Sequence, residues 1–315
     1  MIYPRLNRVR NGQRLSVELV NGLIKRTEYA SDLLRQGKCV AGTDISVVQE
    51  YDGSIISSTP PYQIVGSYAK SGLTVGFVYD GTTYTDIIFP GATTTQCIDI
   101  YNGNIVGIRV LSGQIRGFLY ENGNFTSLES PNVGAISSAR GIYSNLITGQ
   151  YQFGNQRGYL YNGLTYQIIL PPGSNNTFEP RIDQNTIVGR FRTSANTGNR
   201  GFITTTDLSS YTTFTVASAS NGPGEGTLLT GIHNGTIIGF YFNGTGFTTS
   251  FSLLGGNRTD FNYPGSNETR SIGIYENFIV GQFDSGFFLY DGSAFTNIIQ
   301  PSGVAQFNVL GIGSN

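Results

Sequence analysis

Six short segments of this 315-residue chain end alike, in two apolar residues (or a close variant) followed by glycine. They are Ile64-Val65-Gly66, Ile105-Val106-Gly107, Ile147-Thr148-Gly149, Ile187-Val188-Gly189, Ile237-Ile238-Gly239 and Ile279-Val280-Gly281. The glycines stand 41, 42, 40, 50 and 42 residues apart. A second phrase keeps the same beat: GFVYDGTTYTDIIFPG at 76–91, GFLYENGNFTSLESPNVG at 117–134, GYLYNGLTYQIILPPG at 158–173 and a looser GFFLYDGSAFTNIIQPSG at 286–303. A period of roughly 40–50 residues with several strand patterns inside it is the signature of a propeller blade.

One unit shows how the strands divide. SSARGIYS (137–144) reads as a first strand, with Asn145 in the turn, and LITGQYQF (146–153) as a second. RGYLY (157–161) and TYQIILP (165–171) follow as third and fourth, separated by Asn162-Gly163. Asn-Gly and Asp-Gly suit type I′ hairpin turns, in which both central residues have positive φ. They recur at Asp80-Gly81, Asn102-Gly103, Asn122-Gly123, Asn234-Gly235 and Asp291-Gly292. The expectation is an all-β chain: a six-bladed β-propeller over 61–315. AQFNVLGIG (305–313) reads as an orphan first strand that completes the first blade and closes the ring. Residues 242–270 blur their third and fourth strands, by a distorted blade or an inserted loop. Abundant glycine (43), tyrosine (19) and phenylalanine (20), with only 12% charged residues, fit short strands and tight turns and exclude a helical protein.

Residues 1–60 differ in kind. Arg5, Arg8, Arg10 and Arg14 lie in an arm without periodicity. Ser16 to Gln36 predicts a short helix, capped by Ser16 and ended by Gly37. Val20, Leu23, Thr27, Ala30 and Leu34 form a narrow seam that would pack on its own chain, on a docking partner or on copies of itself as a homo-oligomer. Residues 44–58 read as a hairpin turning at Asp52-Gly53, and Pro60-Pro61 stiffens the junction. Residues 1–38 carry a net charge of +5 and the remainder −6, the asymmetry of a basic tether that docks on something acidic. No apolar run nears the roughly 20 residues that span a bilayer, so membrane insertion is not expected. The start lacks a secretory h-region, which predicts synthesis in a cytosol. Cys39 and Cys97 read as two small buried hydrophobes rather than a bridge.

Two resemblances follow from these pieces. NGNIVG (102–107), RGFLY (116–120) and FPGATTTQ (89–96) resemble the HAF repeats, named for a His-Ala-Phe motif and found in bacterial extracellular and phage proteins. NGQRLSVELVNGLIKRT followed by AGTDISVVQEYDGSIIS is similar to the heads of phage fibre and minor structural proteins. That second likeness implies an anchor at 1–60, bound to phage capsid or tail proteins, and a displayed distal ring.

The residues suggest no catalytic centre. His233 is the sole histidine and has no nucleophile motif beside it, so a structural role in a strand turn is expected. One histidine and two distant cysteines do not make a zinc site, no cofactor motif is evident, and the chain has no tryptophan for a sialidase-type box. Asp-Ser-Gly at 284–286 falls well short of a calcium loop, and the Asn-x-Ser/Thr sites at Asn124, Asn243 and Asn267 follow from turn composition. The repeat arginines are scattered on an acidic body, which argues against nucleic acid.

What remains is a set of polar loops between second and third strands and between successive units. TSANTGN (193–199), ASASNGPGEG (217–226) and PPGSNNTFEP (171–180) are the prominent ones, with Asn175, Asn176, Asn196, Asn199 and Asn221 as candidate ligand contacts. The expected function is a non-enzymatic phage virion protein, a head or tail fibre or a capsid decoration made in the bacterial cytoplasm. Its ring would be displayed for host attachment through surface glycans. A bacterial carbohydrate-binding surface propeller is the alternative, and a propeller glycosidase a more distant one.

Overall fold

The computed structural model describes residues 44–50, 53–132, 134–193 and 197–314, with side chains from residue 60 onward. The chain divides into two compact units, with the boundary between Pro61 and Tyr62. Among the described residues the first contains one hairpin, β1 (Asp44–Glu50) antiparallel to β2 (Gly53–Thr59). Glu50 stands opposite Gly53, so Gly53 opens the second strand instead of forming the turn with Asp52. The arm and seam (Arg5, Arg8, Arg10, Arg14, Val20, Leu23, Thr27, Ala30, Leu34) lie outside the described residues.

The second unit is a β-propeller without a helix among the described residues. One sheet holds eight strands: β3 (Gln63–Lys70), β4 (Leu73–Tyr79), β5 (Tyr84–Ile87), β6 (Thr94–Tyr101), β7 (Asn104–Leu111), β8 (Gln114–Glu121), β9 (Asn124–Leu128) and the C-terminal β26 (Ala305–Gly313). Four sheets of four antiparallel strands follow the chain. The first comprises β10 (Ile136–Tyr143), β11 (Leu146–Phe153), β12 (Asn155–Tyr161) and β13 (Tyr166–Ile169). The second comprises β14 (Asn176–Asp183), β15 (Thr186–Arg192), β16 (Arg200–Thr205) and β17 (Tyr211–Phe214). The third comprises β18 (Thr227–His233), β19 (Thr236–Phe242), β20 (Thr248–Leu254) and β21 (Asn257–Phe261). The last comprises β22 (Thr269–Tyr275), β23 (Phe278–Phe283), β24 (Gly286–Tyr290) and β25 (Phe295–Ile298). Four free-standing sheets therefore replace the six separate blades expected from the sequence. The other eight strands are fused by one parallel pair, Thr74 opposite Thr94, beside a Thr74 N–H that donates to the Thr93 carbonyl at 3.1 Å.

The apolar-apolar-Gly signature is a packing requirement. Each of those glycines stands directly opposite an aromatic residue of the next strand: Gly66–Phe77, Gly107–Phe118, Gly149–Tyr159, Gly189–Phe202, Gly239–Phe251 and Gly281–Phe288. All six rings are 0% exposed, and a Cβ on the glycine would lie 2.3–2.9 Å from ring carbons. Burying a side chain of this size stabilises by about 1.5–3 kcal/mol, so these pairs dominate the sheet cores.

The Asp-Gly and Asn-Gly corners are of two kinds. Asn102-Gly103, Asn122-Gly123 and Asn234-Gly235 have positive φ at both residues, as type I′ turns require. Asp80, Asn162 and Asp291 do not; only the following glycine is left-handed there (φ 96, 90 and 93). Those residues act through their side chains instead. Asp80 Oδ1 accepts from the Thr82 and Thr83 amides at 2.9 and 2.7 Å, and Asn162 and Asp291 repeat the pattern. The preceding tyrosine donates its hydroxyl to the glycine carbonyl, at 2.7 Å from Tyr79 and Tyr161 and 2.8 Å from Tyr290. Asp80→Ala is expected to lower the thermal midpoint measurably, while Asp80→Asn, which keeps the acceptor, holds it; equal midpoints for both would remove the side chain's role.

Within residues 242–270 the third and fourth strands, β20 and β21, are regular. Their pattern was obscured because Ser250 replaces the usual third-strand glycine and Gly255-Gly256 makes the turn. At the C-terminus β26 pairs antiparallel with β3, from Ala305 opposite Ala69 to Gly313 opposite Gln63, as the sequence suggested. Ser314 then fastens this end to the next turn, its hydroxyl accepting from the Asn102 amide at 2.8 Å.

Candidate functional site

The first strand of each repeat, β26, β6, β10, β14, β18 and β22, packs on the next in a closed circuit around a central channel. Every one carries a β-bulge, which breaks the ladder and re-aims backbone groups. The bulged residues are Ile98, Arg140, Thr230, Ile272 and Leu310, and in β14 Glu179 and Pro180 together stand against the single Gly189. The residue after the bulge is glycine in four strands (Gly141, Gly231, Gly273, Gly311) and Asp99 or Arg181 in the other two. There is little room at that level: a Cβ on Gly311 would lie 2.2 Å from the Ile98 carbonyl.

Arg181 fills the axis. Its guanidinium donates to the carbonyls of Ile98 at 3.2 Å and Leu310 at 3.3 Å, and to that of Arg140. One side chain thus satisfies three carbonyls freed by bulges in three other strands. Beside it, Asp99 accepts from the Ile142 amide at 3.0 Å. A cavity of about 20 Å³ remains between Asp99, Arg181, Thr230 and Ile272, room for one water and not for an organic substrate.

Burial pushes the Asp99 carboxyl up to about 6, against the opposing pull of Arg181 and the amides of Ile142 and Ile100. The folded chain therefore holds this proton more tightly than the unfolded chain. Its contribution to stability is complete below about pH 4 and lost as pH rises through 6, about 3 kcal/mol at 1.36 kcal/mol per pKa unit. Asp80, Asp284 and Asp291 run the other way, held low by backbone amides of Thr83, Asn267 and Ala294, and lose their contribution only below about pH 4. The thermal midpoint is expected to rise from pH 7 to pH 5 and fall below pH 4. Asp99→Asn should flatten the rise; an unchanged slope would contradict this assignment.

The two channel mouths differ in charge. At the strand ends lie Tyr101, Tyr143, Asp183, His233 and Tyr275, with the Tyr101 and Tyr143 rings 4.8 Å apart. His233 sits between carboxylates, Nδ1 3.7 Å from Asp183 and Nε2 3.6 Å from Glu276, with Asn234 at 3.1 Å. That arrangement supplies an orienting acid, but none of these partners of His233 is a serine, threonine or cysteine. Cys97, the described cysteine, is fully buried beneath Gly76. No group of histidines, cysteines and carboxylates fit for a metal occurs among the described residues.

The opposite mouth is basic. Arg140 enters it from β10, and Glu179 from the β14 bulge with φ at 50°. Glu179 pairs with Arg190 at 3.2 Å, and its amide donates to Gln150 Oε1 at 2.8 Å. Arg190 and Arg192 both lie over the Phe178 ring, 4.9 and 5.2 Å from its centroid, and Arg270 lies over Phe240 and Phe242.

The polar loops open on this same face, and the asparagines there divide. Asn199 is 1% exposed and is a staple rather than a contact: its Nδ2 donates to the Gly224 and Glu225 carbonyls, and its Oδ1 accepts from Arg190 and Arg192. It ties residues 197–199 to 222–226 as one platform. Asn176 is spent on the Gln156 amide at 2.9 Å. Asn175 and Asn221 are exposed, and Asn196 lies outside the described residues. The channel residues Asp99, Arg140, Glu179 and Arg181 were missed from the sequence. For Asp99 and Arg181 the signal was the break in the repeat's own glycine rule; Arg140 and Glu179 carried none.

Neither a family model nor a curated protein matches the chain. Solved structures share its fold. A chain of a nidogen–laminin complex matches 80% of this chain and 97% of its own length, at 10% identity and a TM-score of 0.53. A triple arginine-to-alanine variant of AofleA from Arthrobotrys oligospora matches 82% and 87%, at 12% identity and 0.52. Hydrazine synthase of Kuenenia stuttgartiensis matches 79% of this chain and 46% of its own, at 11% identity and 0.52. At such identities the likeness is one of fold alone.

Proposed function

We propose that this protein is a non-catalytic virion component of a bacteriophage. In this reading residues 1–60 anchor it to capsid or tail proteins, and the ring is displayed as a recognition head for host-surface glycans. The eight-stranded sheet works as two blades, β26-β3-β4-β5 and β6-β7-β8-β9, which gives the ring six. The observation that carries the reading is that every described propeller strand lies between Gln63 and Gly313. The ring closes by pairing its last strand, β26, with β3, and this reading assigns the basic leader to another partner.

The loop platform stapled by Asn199 and the arginine–aromatic stacks on that face fit a glycan surface: rigid, polar and lined with rings. The constricted channel leaves little space for a catalytic pocket along the axis. The test is incorporation. Phage particles assembled with full-length protein should carry it, while particles assembled with residues 61–315 should lack it although that fragment accumulates in the cell. Equal incorporation of both would defeat the anchor.

A further inference from the structure

The basic mouth of the channel has more positive charge than its carboxylates neutralise. Arg140, Arg181 and Arg190 converge there on a single acid, Glu179. Arg190 takes that acid directly, at 3.2 Å, and Arg181 is spent on three backbone carbonyls. Arg140 is left over. Its Nε donates to Ser138 Oγ at 3.1 Å, and its two terminal nitrogens donate to no described group; no carboxylate lies within ion-pair distance of it among the described residues.

Glu179 is not free to serve it. Its amide is held by Gln150, its carboxylate by Arg190, and its backbone by the β14 bulge with positive φ. A partly buried, desolvated guanidinium with two donors unmatched by any described group, beside two further arginines, is unfavourable until an anion arrives. A planar carboxylate meets such a fork with two parallel hydrogen bonds. The other mouth, lined by Asp183 and Glu276, repels the same group, so an anion approaches from the loop face only.

We infer that Arg140 forms an oxyanion subsite that takes the carboxylate of an acidic sugar in the glycan recognised by this face. The inference rests on the recognition reading above and adds the chemical class of the ligand. Arg190 and Arg181 supply the surrounding field, and the Phe178 ring, stacked with Arg190 and Arg192, offers a flat wall for the sugar.

The test is calorimetric titration of the full-length chain with two oligosaccharides at fixed ionic strength. One ends in glucuronate; the other is the same molecule with its carboxyl reduced to the alcohol. The acid form should bind at least ~10-fold tighter, or ~1.4 kcal/mol, and inorganic phosphate should compete with it. Arg140→Met should bring both forms to the affinity of the neutral one, with a melting temperature no lower than the parent's, since a partly buried charge without a direct ion pair is removed. Arg140→Lys should retain part of the preference. Equal affinities in the parent, no binding of either form, or discrimination that survives Arg140→Met would each overturn the subsite. Binding of neutral glycans alone overturns it while leaving the recognition reading intact. Failure of that reading shows separately, as particles whose adsorption ignores added soluble protein.

Discussion

A chain ending at Gly303 should fail to form the ring, giving broad, non-cooperative melting and exposed apolar surface. Deletion of β26 removes the first strand of its sheet, with the six register pairs it makes to β3. Val309 and Ile312, 1% and 3% exposed, leave the cluster they share with Ile64, Tyr68 and Phe77. Each such side chain contributes about 1.5–3 kcal/mol, and the lost ladder opens β3 as a bare edge. The ring also loses the contacts that β26 makes with β22 of the last sheet and with β6 of its own, so the circuit of first strands opens on both sides. The sum rivals the roughly 5–15 kcal/mol that holds a whole domain together. Adding residues 305–315 back as a peptide should restore cooperative melting. A truncated chain that melts like the parent would show that closure is dispensable.

Gly107→Ala should be nearly as damaging, at about 3 kcal/mol or more. The new Cβ would lie 1.9 Å from the Gln96 carbonyl oxygen and 2.9 Å from the Phe118 ring. A ring can tilt, but Gln96 is a ladder residue of β6, and its carbonyl cannot withdraw without opening the sheet. The double variant Gly107→Ala/Phe118→Leu should therefore recover only a minor part of the loss. Gly244→Ala is the control, since nothing lies within 4 Å of that position, and it should stay within about 0.5 kcal/mol of the parent. Denaturant melts of the four proteins decide the matter. Comparable stability for Gly107→Ala and Gly244→Ala would reduce the repeated glycine to a coincidence of composition.

These two results bear on how far the sequence alone could be read. The glycine and its facing aromatic are cross-strand neighbours in one hairpin, so a single period of the repeat already holds both halves of the pair. That is why the strands of 137–171, and the closing strand at 305–313, were legible. Turn chemistry was legible in part. Asn102-Gly103 and Asp80-Gly81 look alike as dipeptides, yet the first supplies two positive φ values and the second a side-chain acceptor. The preceding tyrosine and the threonine three residues on mark the second kind at both Asp80 and Asn162. The partial fusion of the sheets was not legible, because it hangs on one bridge between Thr74 and Thr94.

The channel was the least legible part. Arg181 and Leu310 are 129 residues apart in the chain and meet only because the ring closes. The bulges that aim Arg140 and Glu179 inward each shift the register by one residue, which strand periodicity does not reveal. Asn199 shows the opposite failure: a loop composition suited to ligands belongs to a buried staple. In a repeat protein the chemistry resides where a copy departs from the rule, as Asp99 and Arg181 do where the other copies keep glycine.

The most direct test is competition for the host. Soluble full-length protein, added in rising amounts to susceptible cells before particles that carry it, should reduce adsorption in proportion to the receptors it occupies. Replacing 193–199 by a glycine-serine loop should remove that block without lowering the melting temperature by more than the loss of the Asn199 staple explains. Adsorption that proceeds undiminished past a folded, saturating protein would contradict the displayed recognition head.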